Sequence, residues 1–291
     1  MKNDNIKVQE MVGLIKEASQ LEILPRWGKV IGERKKGSKM AFKDTVTEAD
    51  LKSSEYILKR ILAKFPGSYS EEHKNPERFS HSVLWQLDPL DGTQEFCEGF
   101  KEGYSSMAAL LEKHDKTWFP IAGIIYTPAN DKLCYCSSGE VTLLYGENKI
   151  EVPKPLRSEI RGYVRRVDPS KNLIKFYKQL GDKLNLKVKI MKRGGIGASI
   201  IDLIENKINL LIFNYNHTKE WDIAMAIPII KSLGGFICDL EGNDFTEFNN
   251  PDSPGFNEPY LLKGFIVSIA FKKEEIFPIP SNLLQDKLIK S

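Results

Sequence analysis

The chain predicts an α/β protein built in stacked layers. Three observations carry that prediction: two amphipathic segments at the start, a block of short apolar runs in the middle, and alternating strand-like and helix-like segments at the end. Apolar residues recur at helical spacing from Ile6 to Leu24, and again from Ala49 to Phe65 behind a cap signal at Thr47 or Asp50. Two helices should therefore precede the first strands. Between Trp85 and Val152 the pattern changes to short apolar runs, Ser106–Leu111, Ile121–Tyr126, Leu133–Cys136 and Val141–Tyr145, divided by charged or Gly/Pro-containing turns. That predicts a mostly antiparallel sheet. Pro153-Lys154-Pro155 interrupts any ladder or helix and marks the best internal boundary, giving an N-terminal α+β half over 1–155 and an α/β half over 156–291. In the second half, segments such as Tyr163–Val167, Leu173–Leu180, Val188–Met191, Ala198–Glu205, Leu210–Phe213, Asp222–Leu233, Phe236–Asp239 and Phe265–Ala270 alternate as strand and helix. Asn249 to Pro259, rich in Asn, Pro and Gly, reads as a loop.

Composition bounds the function. At 291 residues and 41% hydrophobic, the chain can bury a sizeable core. Lys+Arg 42 against Asp+Glu 39 leaves a net charge of only +3, with the basic residues dispersed, which argues against binding a nucleic-acid polymer. The N-terminal residues Met1 to Asn5 lack an apolar signal core, and no apolar run approaches the roughly 20 residues of a membrane span. A cytoplasmic protein with no membrane partner is expected, as a monomer or a homodimer. Cys97, Cys134, Cys136 and Cys238 are too few and too scattered for a disulfide framework. Cys134 and Cys136 fall on one face of an expected strand, where core packing accounts for both.

The most informative stretch is Asp88-Pro89-Leu90-Asp91-Gly92-Thr93. The apolar run Val83 to Leu87 reads as a strand ending at Asp88, where Pro89 removes a backbone donor and should stop the ladder. Gly92 permits a close backbone approach, and Thr93 to Phe96 reads as a first helical turn, with Asp91 and Gln94 at capping-box spacing. Free N–H groups at such a start suit an anion. Asp91 as a plain helix cap and Asp91-Gly92 as a plain turn is the competing reading. It weakens once three further segments are set beside it: Asp44-Thr45-Val46-Thr47-Glu48-Ala49-Asp50, Glu71-Glu72 and Trp221-Asp222.

In order and spacing these four motifs resemble the inositol monophosphatase superfamily of magnesium-dependent, lithium-sensitive phosphomonoesterases, over nearly the whole chain from about Val12 to Ala270. The resemblance implies the sugar-phosphatase fold, an α-β-α-β-α layered sandwich. It also implies a metal held by Glu71, Asp88 and the Leu90 carbonyl, a second held by Asp88, Asp91 and Asp222, and a third, weaker ion near Glu71. Carboxylates about 4 Å apart repel by roughly 4 kcal/mol at an effective dielectric near 20, so such a group needs a counter-charge. An all-oxygen ligand set without His or Cys favours Mg²⁺, with Mn²⁺ as a substitute and Ca²⁺ as an inhibitor, over zinc. Inhibition by Li⁺ is a family expectation. In the family the counterparts of Thr93 and Asp50 form a hydrogen-bonded pair that accepts a proton from the attacking water, Glu71 orients that water, and the Gly92 and Thr93 amides hold phosphate oxygens.

Substrate choice within the superfamily is read from fewer residues. Gln94-Glu95-Phe96 is similar to the Lys-Glu-Phe/Tyr common in 3'(2'),5'-bisphosphate nucleotidases, whereas inositol enzymes usually carry Thr-Asn-Phe. Gly194-Gly195-Ile196-Gly197-Ala198-Ser199 resembles the glycine-rich segment of that branch, which places Gly197, Ala198 and Ser199 among the expected substrate contacts, and Gly264 to Ser268 resembles its last strand. Against it, the branch's Ser-Arg-Ser-His is Arg165-Arg166-Val167-Asp168 here, so only Arg166 matches, and Gln94 replaces a usual lysine. Arg165, Arg166, Lys192 and Arg193 are the candidate partners for a second phosphate. Hydrolysis of 3'-phosphoadenosine 5'-phosphate is the leading expectation. Inositol monophosphate hydrolysis and a non-catalytic, metal-dependent binding role are the alternatives. Two departures from the family fall near Asp222: Met225 stands where a small residue is usual, and Pro228 should shorten or kink the helix that follows.

Overall fold

The computed structural model describes residues 2–30, 32–34, 45–166, 169–214, 218–248, 264–280 and 283. The loop expected over Asn249–Pro259 lies outside the described residues, as do Asp44, Val167, Asp168 and His217. The chain opens with helix α1 (Lys2–Ala18), which widens into a π turn (Ser19–Ile23) and then tightens into a 3₁₀ turn (Leu24–Arg26) at Pro25. A short antiparallel pair, β1 (Glu33–Arg34) and β2 (Thr45–Val46), leads to α2 (Glu48–Ile61). Thr47 caps α2 by accepting from the Ala49 amide, and Asp50 reaches back to the Thr47 amide at 2.7 Å, so both cap signals are used at once.

Seven strands form the large sheet in sequence order: β3 (Tyr69–Ser70), β4 (Val83–Asp91), β5 (Ser105–His114), β6 (Thr117–Thr127), β7 (Lys132–Ser137), β8 (Glu140–Tyr145) and β9 (Asn148–Ile150). It is antiparallel apart from β3, which pairs parallel to β4. A short helix, α3 (Thr93–Cys97), lies between β4 and β5. Beyond Pro155, β10 (Glu159–Arg165) and β11 (Lys187–Arg193) pair in parallel around helix α4 (Lys171–Leu184). After α5 (Ile196–Ile204) come β12 (Leu211–Phe213), α6 (Ala226–Ser232), β13 (Phe236–Cys238), β14 (Phe265–Ser268) and α7 (Lys273–Ile276). Strands β12, β14 and β13 form an antiparallel set, and a bridge between Gly162 and Leu210 joins it to β10.

The layers follow from period-two alternation. In β4, Trp85 and Leu87 face α1 and α2, packing with Met11, Ile15 and Ile57, whereas Leu84 belongs to the core on the opposite face. That inner core unites Met107, Ile125 and Cys134 of the large sheet with Ile200 of α5, Ile230 of α6 and Val267 of β14. Ile212 and Ile266 point away from it and pack on Phe176 and Leu180 of α4. The result is α-β-α-β-α. Cys134 and Cys136 are both buried in the inner core as free thiols. Among the described residues no helix is long and apolar enough to cross a membrane.

Pro228 sits in the first turn of α6 rather than in a helix interior, because the helix starts only at Ala226, after a 3₁₀ turn (Glu220–Asp222). A proline there removes a donor that has no intrahelical partner. Met225 is fully buried, and a Cβ on Gly123 would stand 1.9 Å from its carbonyl oxygen. It is the Met225 backbone, not its side chain, that makes the close approach.

Candidate active site

Pro89 does not end β4. Asp88 pairs with Met107 and Asp91 with Ser105, so Pro89 and Leu90 together oppose only Ser106. This is a β-bulge, one of the few strand settings in which a proline costs no ladder bond. It also re-aims the carbonyls: Pro89 accepts from the Ser106 hydroxyl at 2.8 Å and Leu90 from the Thr93 hydroxyl at 3.1 Å. Gly92 follows with φ +79°, and a Cβ there would meet the Gly103 carbonyl oxygen at 2.3 Å. Only glycine fits that corner.

Asp91 does not cap α3, whose N-cap is Gly92 without any side-chain bond. Its carboxylate crosses to α5, accepting from the amides of Ile196 (3.2 Å) and Gly197 (2.8 Å) and from the Ser105 hydroxyl (3.0 Å). Asp91 is thus the N-terminal cap of a helix more than a hundred residues downstream. Asp88 accepts from the Leu90 amide, Asp222 from the Lys219 amide at 2.7 Å, and Glu71 from the Lys219 ammonium at 3.0 Å.

Glu71, Asp88, Leu90, Asp91, Gly92, Thr93 and Asp222 all line one cavity of about 160 Å³. Burial raises the Asp88 pKa well above the usual carboxylate range, with the charges of Glu71, Asp91 and Asp222 adding to it. Burial likewise lifts Asp91 to about 6, against its amide bonds, and Asp222 to about 8, where the Glu71 charge contributes next. Asp50 stands behind Thr93 rather than in the wall. Its Oδ1 accepts from the Thr93 hydroxyl at 3.0 Å, its Oδ2 accepts from Thr47, and burial lifts it to about 7.

Other expected substrate contacts land elsewhere. Gly197, Ala198 and Ser199 are buried in the first turns of α5 and do not line the cavity; Gly194, Gly195 and Ile196 do. The Gly197 amide is spent on Asp91 and the Ser199 hydroxyl on the Gly195 carbonyl. Arg166 turns to Glu98, with Glu95 at 4.0 Å, and it is Arg165 that reaches the cavity. Arg193 is held by Asp202 at 2.5 Å, and Lys192 is exposed. Two cavity residues, Lys219 and Phe213, lie outside the motifs, and Thr45, within the Asp44–Asp50 segment, has no expected role there. Position alone hinted at Lys219, three residues before Asp222.

The sequence profile of the Inositol monophosphatase family matches residues 6–269. The chain belongs to that family. A fructose-1,6-bisphosphatase/inositol-1-monophosphatase of Thermotoga maritima is 23% identical over 277 residues, covering 94% of this chain and 96% of the relative. The solved structure of CysQ from Bacteroides thetaiotaomicron, a bacterial member of the family, superposes with a TM-score of 0.67 at 23% identity, covering 90% of this chain and 96% of that one. An IMPase/NADP phosphatase solved with Mg²⁺ and phosphate gives 0.68 at 18% identity, covering 99% and 97%.

For this inositol monophosphatase family phosphatase, the donor set fits a hard divalent cation. Four carboxyl groups and the Leu90 carbonyl supply only oxygen, and burial, with repulsion among the carboxylates adding to it, raises Asp88, Asp91 and Asp222, a cost that a cation would offset. Among the described residues, no group of three or more His, Cys, Asp or Glu side chains is gathered tightly enough to hold an ion as it stands. The reason lies in the partners just given: Lys219 holds Glu71, and backbone amides hold Asp91 and Asp222.

A carboxyl whose folded pKa exceeds its unfolded value binds its proton more tightly in the folded chain. These groups therefore favour folding below about 3.8, and that contribution is lost as pH rises through about 6 for Asp91, 7 for Asp50 and 8 for Asp222. Chelator-treated protein should lose melting temperature between about pH 5 and pH 8, and added magnesium should remove the slope. A melting temperature that is flat or rising over that range would contradict the raised pKa values of these buried carboxyl groups.

Proposed function

We propose that this protein is a cytoplasmic, Mg²⁺-dependent phosphomonoesterase that hydrolyses 3'-phosphoadenosine 5'-phosphate to AMP and phosphate, working as a monomer or homodimer. The observation that carries the reading is the meeting of Glu71, Asp88, Asp91 and Asp222 in one cavity, with the Thr93–Asp50 hydrogen bond at its edge. In this assignment residues 1–155 supply most of the ligands and 156–291 supply Asp222. Glu71, Asp88 and the Leu90 carbonyl would hold one ion, and Asp88, Asp91 and Asp222 another. Bound magnesium supplies positive charge that neutralises the carboxylates, acidifies the attacking water and steadies the leaving oxygen.

The chain's own residues do the rest. Water attacks phosphorus in line with the ester oxygen, the P–O ester bond breaks, and the water's proton passes through the Thr93 hydroxyl to Asp50. Asp50 suits that task, since a base with a pKa of about 7 is both available and strong enough at neutral pH. Glu71 orients the water, and the Gly92 and Thr93 amides face the phosphate oxygens. The leaving alkoxide takes its proton from solvent.

The nucleotide substrate is favoured by one wall of the cavity. Phe213, stacked on Phe265 with centroids 5.3 Å apart, borders the space along with the Arg165 guanidinium. A flat apolar ring beside a cation suits a nucleobase and a second phosphate; a polyol such as inositol has no use for the ring. Phosphate release from a panel of 3'-phosphoadenosine 5'-phosphate, inositol monophosphate and fructose 1,6-bisphosphate with Mg²⁺ tests it. The bisphosphate nucleotide should give the highest kcat/KM. Turnover confined to inositol phosphate would reject the nucleotidase, and no metal-dependent turnover of any would favour a binding protein.

A further inference from the structure

Three of the acidic segments are tied together by a buried polar network. The Tyr69 hydroxyl donates to Glu220, and Gln86 Nε2 donates to the Tyr69 oxygen at 2.5 Å. Tyr69, Gln86 and Glu220 are 3%, 1% and 3% exposed. Each stands two positions ahead of an acidic cavity residue: Tyr69 before Glu71, Gln86 before Asp88, Glu220 before Asp222. Gln86 and Asp88 share one face of β4, Glu71 follows directly on β3, and Glu220 and Asp222 sit in the same 3₁₀ turn, so each of the three side chains is two residues from the carboxylate it would steady. Tyr69 and Gln86 are also direct register partners across β3 and β4.

Resting on the phosphatase reading above, we infer that Tyr69, Gln86 and Glu220 are positioning residues whose hydrogen bonds fix the spacing of Glu71, Asp88 and Asp222 for a divalent cation. The chemistry of the network argues for such a use. Burying a carboxyl group is costly unless polar partners surround it, and packing alone is served as well by apolar side chains. Glu220 has the Tyr69 hydroxyl, and the Arg78 guanidinium lies 4.5 Å from the Tyr69 ring centroid. Tyr69 further sets its ring edge-on to Trp221, the residue between Glu220 and Asp222. The directional hydrogen bonds from Tyr69 to Glu220 and from Gln86 to Tyr69 specify one geometry where an apolar patch tolerates several, with Gln86 Oε1 left unpaired. Carboxylates that repel one another gain from that constraint before an ion arrives, in addition to the Lys219 ammonium on Glu71 and the backbone amides on Asp88 and Asp222.

The test uses the full chain and Mn²⁺ binding followed by electron paramagnetic resonance without substrate. Tyr69→Phe removes one hydroxyl and keeps the ring, and Glu220→Gln keeps the shape of the side chain. Each should weaken Mn²⁺ binding by about tenfold, the usual scale for groups that orient ligands. The double variant should be little worse than either single one, as for members of one network. Leu84→Ala, in the apolar lining of a second, smaller cavity that Tyr69 and Glu220 also border, should lower the melting temperature and leave Mn²⁺ affinity unchanged. Raising Mg²⁺ to saturation should restore most of kcat in the two network variants, with the substrate KM within about twofold of wild type. If Tyr69→Phe does not fold, Glu220→Gln and Gln86→Leu carry the same comparison. Wild-type protein that binds no Mn²⁺ would defeat the phosphatase reading itself. Wild type that binds, with variants equal to it within about twofold, would overturn the inference and leave that reading standing.

Discussion

Asp222→Asn is expected to lose phosphate release by at least about three orders of magnitude, the equivalent of the several kcal/mol that a bound cation contributes to the transition state. An amide cannot supply the negative charge, and Asp222 carries more of the site's shared charge than its single amide bond suggests: Glu71 and Asp91 both push its pKa up. With its pKa lifted to about 8 by burial and its acidic neighbours, Asp222 is already mostly protonated in the metal-free site at neutral pH, so the amide replaces a neutral group there. The variant should therefore melt no lower than wild type in chelator at neutral pH, while its Mg²⁺ affinity falls. Asp91→Asn should share the loss of activity and differ in stability. Its carboxylate caps α5 through Ile196 and Gly197 and receives the Ser105 hydroxyl. An amide group in that position turns at least one donor toward another donor, at a cost of about 1–3 kcal/mol. Phosphate release, calorimetry with Mg²⁺ and thermal melts in chelator check both variants together. Asp222→Asn retaining a tenth of wild-type turnover would remove it from the metal-binding set.

The contrast between these two aspartates marks how far the residues alone can be read. The grouping of Glu71, Asp88, Asp91 and Asp222 was legible because a resemblance spanning four segments constrains it more than any single motif. The layered fold was legible for the same reason, supported by the periods of the apolar residues. Local rules failed where a distant partner decided the outcome. Pro89 has the grammar of a strand end, but two residues opposite one Ser106 make a bulge that absorbs it. Asp91 has capping-box spacing to Gln94, but the amides of α5 outbid that helix once folding brings them within 2.8 Å. Of the adjacent Arg165 and Arg166, only one can face the cavity from the end of β10, and the choice depends on the register of β10 with β11 and on Glu98 waiting for the other. The Tyr69–Gln86–Glu220 network leaves no trace in any local window of sequence. Its three members are 17 and 151 residues from one another along the hydrogen bonds that join them.

Thr93→Ala should slow turnover by roughly 10²–10⁴-fold, the scale of lost general-base assistance, while leaving Mg²⁺ affinity close to wild type. The geometry sets both halves of that expectation. Thr93 has one hydroxyl proton and two acceptors in reach, Asp50 Oδ1 at 3.0 Å and the Leu90 carbonyl at 3.1 Å. When the proton points to Asp50, the hydroxyl oxygen is left as an acceptor toward the cavity, which is the arrangement a proton relay requires. Alanine removes the relay and no carboxylate. It also removes a hydrogen bond that favours ionised Asp50, so the pKa near 7, set chiefly by burial, should move further up. Since the base must be ionised to act, residual activity in the variant should rise with pH over a limb displaced to higher pH than in wild type. Asp50→Asn should match Thr93→Ala in rate but lose that limb altogether. The kcat/KM profile against pH separates these cases from a merely structural role: a displaced limb supports the relay, and a Thr93→Ala enzyme with wild-type rate and an unmoved limb would exclude it.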